Sequence, residues 1–252
     1  MILRSTDIRA ALRDRRSRLA PRRLQRGFFT LPGGMGAAGK GPSGATDPDF
    51  ASVVLLMHFD GADGSTTFTD NSSSAKTLTA VGNAQLDTAQ QRFGTASGLF
   101  DGSGDRVTAA ASTDFEFGSG NLTLEFFLRL TGPNNFGIFY TEDGNTSLHF
   151  DASRWVWRAN NTNVFVTTDT PSLNTWYHIA LVRNGTTTRV YRNAVIVATG
   201  TSVNCANTNS AIRIGGGYQQ LNGHIDELRI TKGVARYTAA GFTVPTAAFP
   251  DS

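Results

Sequence analysis

At 252 residues the chain can hold one large β domain with an appendage, or two small domains. Hydrophobic residues at 39% suffice for a packed core, while charged residues at 17% and abundant Gly, Thr, Asn and Ser suit a turn-rich β protein. The single cysteine, Cys205, excludes an internal disulfide and a Cys-x-x-Cys metal site; no run approaches the roughly 18 apolar residues of a membrane span, and the N-terminus lacks the apolar stretch of a secretory signal.

The net charge of +3 hides an asymmetry. Residues 1–46 carry ten basic and two acidic residues, a net of +8, and residues 47–252 carry 13 basic and 18 acidic, a net of −5. The basic character belongs to the N-terminal arm, and the body is mildly acidic.

In chain order, residues 1–26 form the Arg-rich arm. Residues 5–20 read as a short helix: Ser5 or Thr6 can cap it, Asp7 suits its first turn, Ile8, Ala11, Leu12 and Leu19 fall near one face, and Pro21 ends it. Nine arginines and no lysine lie between Arg4 and Arg26. Arginine is favoured where a planar fork meets a carboxylate or phosphate. Docking onto an acidic protein neighbour is the favoured reading, with Arg13, Arg15 and Arg16 as anchors. A solvated tail, nucleic-acid contact and a membrane-surface or targeting helix are the alternatives. No aromatic residue interleaves with the arginines, which weighs against binding single-stranded nucleic acid.

Residues 27–50 are a Gly/Pro/Ala strap that cannot bury enough surface to fold alone. Phe28, Phe29 and Leu31 are its exception: three large apolar side chains suited to a neighbour's groove.

Residues 51–252 read as one β domain. Short apolar or alternating runs are expected as strands at 53–59, 66–69, 76–81, 98–101, 106–109, 121–130, 136–141, 147–150, 155–158, 164–167, 176–183, 186–192, 195–199, 212–215 and 224–231. The clearest is 121–130, with Leu122, Leu124, Phe126, Leu128 and Leu130 on one face and Thr123, Glu125 and Arg129 on the other. In 176–183 both faces are largely apolar, so this strand is expected to be covered on two sides. Asn184-Gly185 then predicts a tight hairpin turn. Many short strands with almost no helical period imply a sandwich or jelly roll.

The runs LLMHFDGADGSTTFTD, FGTASGLFDGSGDRV, STDFEFGSGNLTLEFFLRL, WYHIALVRNG and HIDELRITKGVARYT occur in that order. Together they resemble the laminin-G-like, concanavalin A-like jelly-roll domains of bacteriophage particle proteins, from about Val53 to Pro250. The resemblance implies an all-β fold of two antiparallel sheets; residues 1–46 have no counterpart in it, and the extended N-terminal arm containing a short helix is read from its own residues. It implies a phage structural or adhesion component; with the residues, the favoured reading is a non-enzymatic structural component of a virion that displays the jelly roll as a decoration, collar or tail-fibre module. On this reading residues 1–46 fasten the chain to other virion proteins, in many copies. A glycan-binding module for host adhesion is the alternative, and a sugar-active enzyme ranks third. Two departures from the family pattern are Asn193-Ala194, where Asn-Gly is frequent, and Phe126-Phe127, where Phe-Trp is usual.

Three site readings follow. Catalysis is disfavoured: no Glu-x-Asp-x-x-Glu occurs, Glu116 and Glu125 look isolated, and Asp226 and Glu227 are adjacent, which on a regular strand puts them on opposite faces. A calcium ion could use Asp60 and Asp226, since the first and last strands often pair in this fold, but Asp-Gly pairs such as Asp60-Gly61 also serve ordinary turns. For glycan, Trp155 and Trp157 share one strand face, flanked by Arg158 and the polar loop at Asn160. If exposed, these rings could stack on sugars; the favoured reading puts them in the inter-sheet core.

Overall fold

The chain divides into a unit Met1–Ala37 and a unit Ala38–Ser252. The computed structural model describes residues 46–132, 135–151, 154–167, 169–205 and 209–252, all in the second unit. The arm helix and the anchoring residues Arg13, Arg15, Arg16, Phe28, Phe29 and Leu31 lie outside the described residues.

Fifteen strands are described: β1 (Val53–Met57), β2 (Leu78–Val81), β3 (Gln85–Asp87), β4 (Ser97–Asp101), β5 (Arg106–Ala109), β6 (Leu122–Leu130), β7 (Phe136–Thr141), β8 (Ser147–Asp151), β9 (Arg154–Ala159), β10 (Thr162–Thr167), β11 (Trp176–Asn184), β12 (Thr187–Arg192), β13 (Val195–Thr201), β14 (Ile212–Ile214) and β15 (Asn222–Lys232). They form two antiparallel sheets. The eight-stranded sheet runs β13-β12-β11-β6-β15-β4-β3, with β1 added to β15; the seven-stranded sheet runs β10-β9-β8-β7-β14-β5-β2. β15 is long enough for two partners on one edge: residues 222–225 pair with β4 and residues 228–231 pair with β1. The all-β, two-sheet jelly-roll expectation therefore stands. Among the described residues no helix is long and apolar enough to cross a membrane.

The core between the sheets follows from period-2 alternation. Leu122, Leu124, Phe126, Leu128 and Leu130 of β6 meet Leu148, Phe150, Trp155 and Trp157 of the opposite sheet in one buried cluster. Cross-strand register sets Leu148 beside Trp157 and Phe150 beside Trp155. Phe136 and Phe150 stack at 4.8 Å, and Trp155 meets both rings edge-on.

The outer face of the eight-stranded sheet is also buried. Phe249 packs with Val53, Leu56 and Phe127; Tyr237 and Phe242 pack on Ala180, Val182 and Tyr191. The segment after β15 thus covers β11 and β6, which is why both faces of β11 are apolar. The body also begins earlier than residue 51: the Asp47 amide donates to the Ser252 carbonyl at 2.8 Å.

Local corrections concern turns and weak strands. Residues 66–69 form only an isolated bridge, Thr69 to Thr77, and the short β3 was not expected. The β11–β12 turn is centred on Gly185-Thr186, since Asn184 pairs with Thr187; Gly185 alone takes the positive φ. A glycine-first turn of this order matches strand twist as well as Asn-Gly would.

Candidate functional site

Beneath the C-terminal segment lies a layer of buried charge. Glu125 is fully buried, yet it is not isolated. Its Oε1 accepts from Arg229 Nε and Nη2, and its Oε2 accepts from the Tyr237 hydroxyl at 2.6 Å and lies 3.3 Å from His178 Nε2. Burial alone would raise its pKa; the Arg229 charge and the bonds from His178 and Tyr237 outweigh that and hold it at about 2. Asp47 bridges Arg229 and Arg236, joining the start of the domain to its last strand and the segment beyond.

Glu227 has φ 51°, and the ladder slips between Asp226 and Arg229. This bulge turns both carboxylates to the outer face, because Asp226 pairs with Phe127 of the outer cluster while Leu228 joins the inter-sheet core. Regular alternation misplaces them, and the expected opposite facing of Asp226 and Glu227 is corrected. Glu227 bonds through both oxygens, and Asp226 through Oδ2 alone. Glu227 Oε2 lies 2.9 Å from His58 Nδ1 and accepts the Phe249 amide at 2.8 Å. Asp226 Oδ2 accepts the Arg92 and Phe93 amides at 2.7 and 3.0 Å, and burial pushes its pKa up to about 8.

Asp60 and Asp226, the residues expected for calcium, each accept hydrogen bonds from the protein. Asp60 Oδ1 accepts the Thr95 amide and hydroxyl, and Asp226 accepts its two amides through Oδ2 alone, its buried Oδ1 having no hydrogen-bond partner among the described residues. Among the described residues no three His, Cys, Asp or Glu side chains gather where a metal could be held. The Gly-rich turns do ordinary turn work: Asp105 accepts the Asn83 and Asp101 amides, and Asp63 accepts the Thr88 amide.

Trp155 and Trp157 are 0% and 1% exposed. They belong to the inter-sheet core and offer no ring to a sugar, which corrects the stacking option and matches the favoured core reading. The polar half of that expectation stays at the surface. Asn160 and Asn161, both at positive φ, make the β9–β10 turn, and Arg158 Nη2 donates to Asn161 Oδ1 at 2.8 Å. The Asn161 amide donates to the Asn145 carbonyl, and Asn145 in turn bonds Asp143.

Asp143 lines an open cleft of about 310 Å³ at this end of the seven-stranded sheet. Its floor is Tyr140 of β7 and Arg213 of β14, side by side in register on the outer face. Tyr140 lies flat because two glycines make room: a Cβ on Gly137 or Gly217 would fall 2.3 or 2.4 Å from its ring. Burial pushes its phenol pKa up. Arg213 makes a two-point ion pair with Glu142, Nε to Oε2 at 2.7 Å and Nη2 to Oε1. That pairing holds the Glu142 carboxyl below its ordinary range. Tyr218 stands at the lip, 84% exposed, the one aromatic among the large exposed apolar side chains of the described residues.

Sequence reasoning missed Tyr218, Arg213, Glu142 and Asp143. A signal existed in Gly215-Gly216-Gly217-Tyr218: an aromatic in a glycine run has no strand neighbour to pack on. The other three come together only through the β7–β14 pairing, which joins residues 71 apart.

Comparison with known proteins bears on this architecture. The binding domain of Paraclostridial Mosquitocidal Protein 1 superposes with TM-score 0.58 at 14% identity, over 73% of this chain and 50% of that one. Domain 4 of AbnA, an extracellular arabinanase from Geobacillus stearothermophilus solved with arabinotriose, superposes with TM-score 0.57 at 16% identity, over 73% and 94%. The binding domain of Botulinum Neurotoxin DC, solved with SialylT, gives TM-score 0.54 at 15% identity, over 73% and 49%. This chain thus spans about half the length of the two toxin domains and nearly all of the arabinanase domain. At such identities the likeness is one of fold. A search of curated proteins by sequence finds no match. Residues 101–236, more than half the chain and spanning strands β5 to β15, match the family described as the concanavalin A-like lectin/glucanases superfamily, and the chain belongs to it.

Proposed function

We propose that the chain is a non-enzymatic glycan-binding module displayed on a phage particle. The carrying observation is Tyr218, 84% exposed at the lip of a cleft lined by Glu142, Asp143 and Arg213. A pocket with an apolar platform and a few convergent polar groups is the usual form of a small-ligand site. Similar folds appear in a toxin binding domain solved with SialylT and an arabinanase domain solved with arabinotriose, which supports a binding role. The non-enzymatic part rests on where the acids lie: Glu125 and Glu227 are buried and spent on internal partners, Asp226 is buried and held by two backbone amides through Oδ2, and Glu142 is tied to Arg213.

The phage setting rests on the five ordered sequence runs and on the +8 arm ahead of a −5 body. Other particle proteins are the proposed partners of that arm, and a host-surface glycan is the proposed partner of the cleft. The test is a glycan array probed with the full chain. Wild type should bind a defined subset of oligosaccharides, and Tyr218→Ala should lose that binding while keeping its unfolding midpoint. Unchanged binding by Tyr218→Ala would reject the cleft.

A further inference from the structure

The cleft has a charge arrangement that selects among glycans, and the inference rests on the glycan-binding reading above. Among the described residues that line it, the one cation, Arg213, is already engaged. Glu142 takes the Nε and Nη2 edge of the guanidinium, the same two-donor edge an incoming carboxylate would use. Asp143, exposed beside Glu142, adds a second negative charge to the lining. Its carboxylate is oriented by Asn145 and by the Thr141 hydroxyl at 2.6 Å, so it is a fixed acceptor. One cation against two carboxylates leaves the described lining negative, with Arg106 acting on Glu142 from beyond it.

We propose that the Tyr218 cleft binds neutral, hydroxyl-rich sugars and rejects acidic ones such as sialosides and uronates, with the Glu142–Arg213 pair as the selector. A neutral ring offers hydroxyl donors to the two carboxylates and an apolar face to the Tyr218 ring. An acidic sugar meets two like charges and a guanidinium whose Nε and Nη2 edge is taken. Repulsion of the wrong ligand is a usual device of specificity. The open cleft, of about 310 Å³, has room for a sugar ring.

The substitution Glu142→Gln tests the selector, because it removes one negative charge and frees the Arg213 fork at an exposed position. Binding of arabinotriose and galactotriose is measured against sialyllactose and trigalacturonate, by titration calorimetry on the full chain. Wild type is expected to bind at least one neutral probe ten-fold or more tighter than either acidic probe. Glu142→Gln is expected to shrink that gap to under three-fold, and added salt is expected to reverse the gain for acidic probes. Acidic probes bound as tightly as neutral ones by wild type would overturn the neutral preference and leave glycan binding standing. A gap unchanged in a folded Glu142→Gln, checked by circular dichroism, would overturn the ion pair as selector. If no probe of either class binds wild type at millimolar concentration, the glycan reading fails and the inference falls with it.

Discussion

Arg229 on β15 directs two guanidinium N–H groups at a single oxygen of Glu125 on β6, Nε at 3.0 Å and Nη2 at 2.8 Å. Its remaining nitrogen, Nη1, reaches Asp47 Oδ2 at 2.9 Å, so one buried cation serves two buried anions from distant parts of the chain. Removing it leaves Asp47 with Arg236 alone and takes from Glu125 its nearest cation, leaving that fully buried carboxylate to Tyr237 and His178. Arg229→Ala is therefore expected to cost about 3–5 kcal/mol, the penalty for breaking a buried pair from one side. The double replacement Glu125→Gln with Arg229→Met should cost less than the two single changes summed. Urea unfolding of the four proteins closes the cycle, and strict additivity would show that the pair is uncoupled.

The same layer sets how stability varies with pH. Glu125 is held at about 2, below its ordinary value, so its contribution is present above the unfolded value and is lost as pH falls toward 2. Asp226 has the opposite sign: at about 8 in the folded protein, it keeps its proton where the unfolded chain has released it. Its contribution is full below the unfolded value near 4 and fades as pH rises to 8. His58 adds to this trend: burial lowers it, but the bonded Glu227 outweighs burial and raises it above its ordinary value, so its share is also lost on the alkaline side. Stability is expected to peak on the acidic side of neutrality. Asp226→Asn, which mimics the protonated side chain, should flatten the decline between pH 4 and 8 by up to about 1.4 kcal/mol per pH unit. Denaturant midpoints across that range provide the check, and wild-type stability that climbs with pH would contradict the assignment.

A smaller effect sits in the β12–β13 hairpin. Asn193 and Ala194 have φ 49° and 64°, the left-handed pair a tight two-residue turn needs. Asn tolerates this region and Ala does not, at about 1–2 kcal/mol for a left-handed alanine. Glycine relieves that strain but gains about 0.4–1 kcal/mol of unfolded-state freedom. Ala194→Gly should therefore stabilise by about 0.5–1 kcal/mol, seen as a higher thermal midpoint. A lower midpoint would mean the turn is not strained at Ala194.

Most of the fold was legible because alternation reports one thing well, which face of a strand meets the core. It gave β6 and the double-sided β11 directly, since Leu124 and Phe126, or Ile179 and Ala180, each have a packing partner on the side expected. It failed where the backbone leaves regular geometry. The left-handed Glu227 inverts the parity of Asp226, and nothing in Asp-Glu-Leu announces a bulge. The candidate site was less legible for a related reason. Trp155 and Trp157 carry the strongest aromatic signal on β9, but strong aromatic alternation marks a core at least as often as a platform. The exposed ring, Tyr218, belongs to a loop with no periodicity, and Arg213 finds Glu142 only through strand pairing.

The arm carries the claim about attachment. Nine arginines precede a strap bearing Phe28, Phe29 and Leu31, and the whole segment of +8 is joined to a body of −5. A charge block alone gives weak, salt-sensitive attachment. Each large apolar side chain, if fully covered by a partner, adds roughly 1.5–3 kcal/mol that salt does not screen. Arginines would steer and orient, and phenylalanines would hold. The place to cut follows from the structure: Asp47 bonds Ser252, Arg229 and Arg236, so the deletion should span residues 1–45 and spare it. The truncated chain is expected to keep its unfolding midpoint and to be missing from purified particles by quantitative mass spectrometry. Phe28→Ala with Phe29→Ala should lower incorporation at every salt concentration, whereas neutralising Arg13, Arg15 and Arg16 should lower it more at low salt than at high. Wild-type copy number of the truncated chain in particles would show that attachment runs through the jelly roll itself, and the cleft face would then have to be tested as a particle interface.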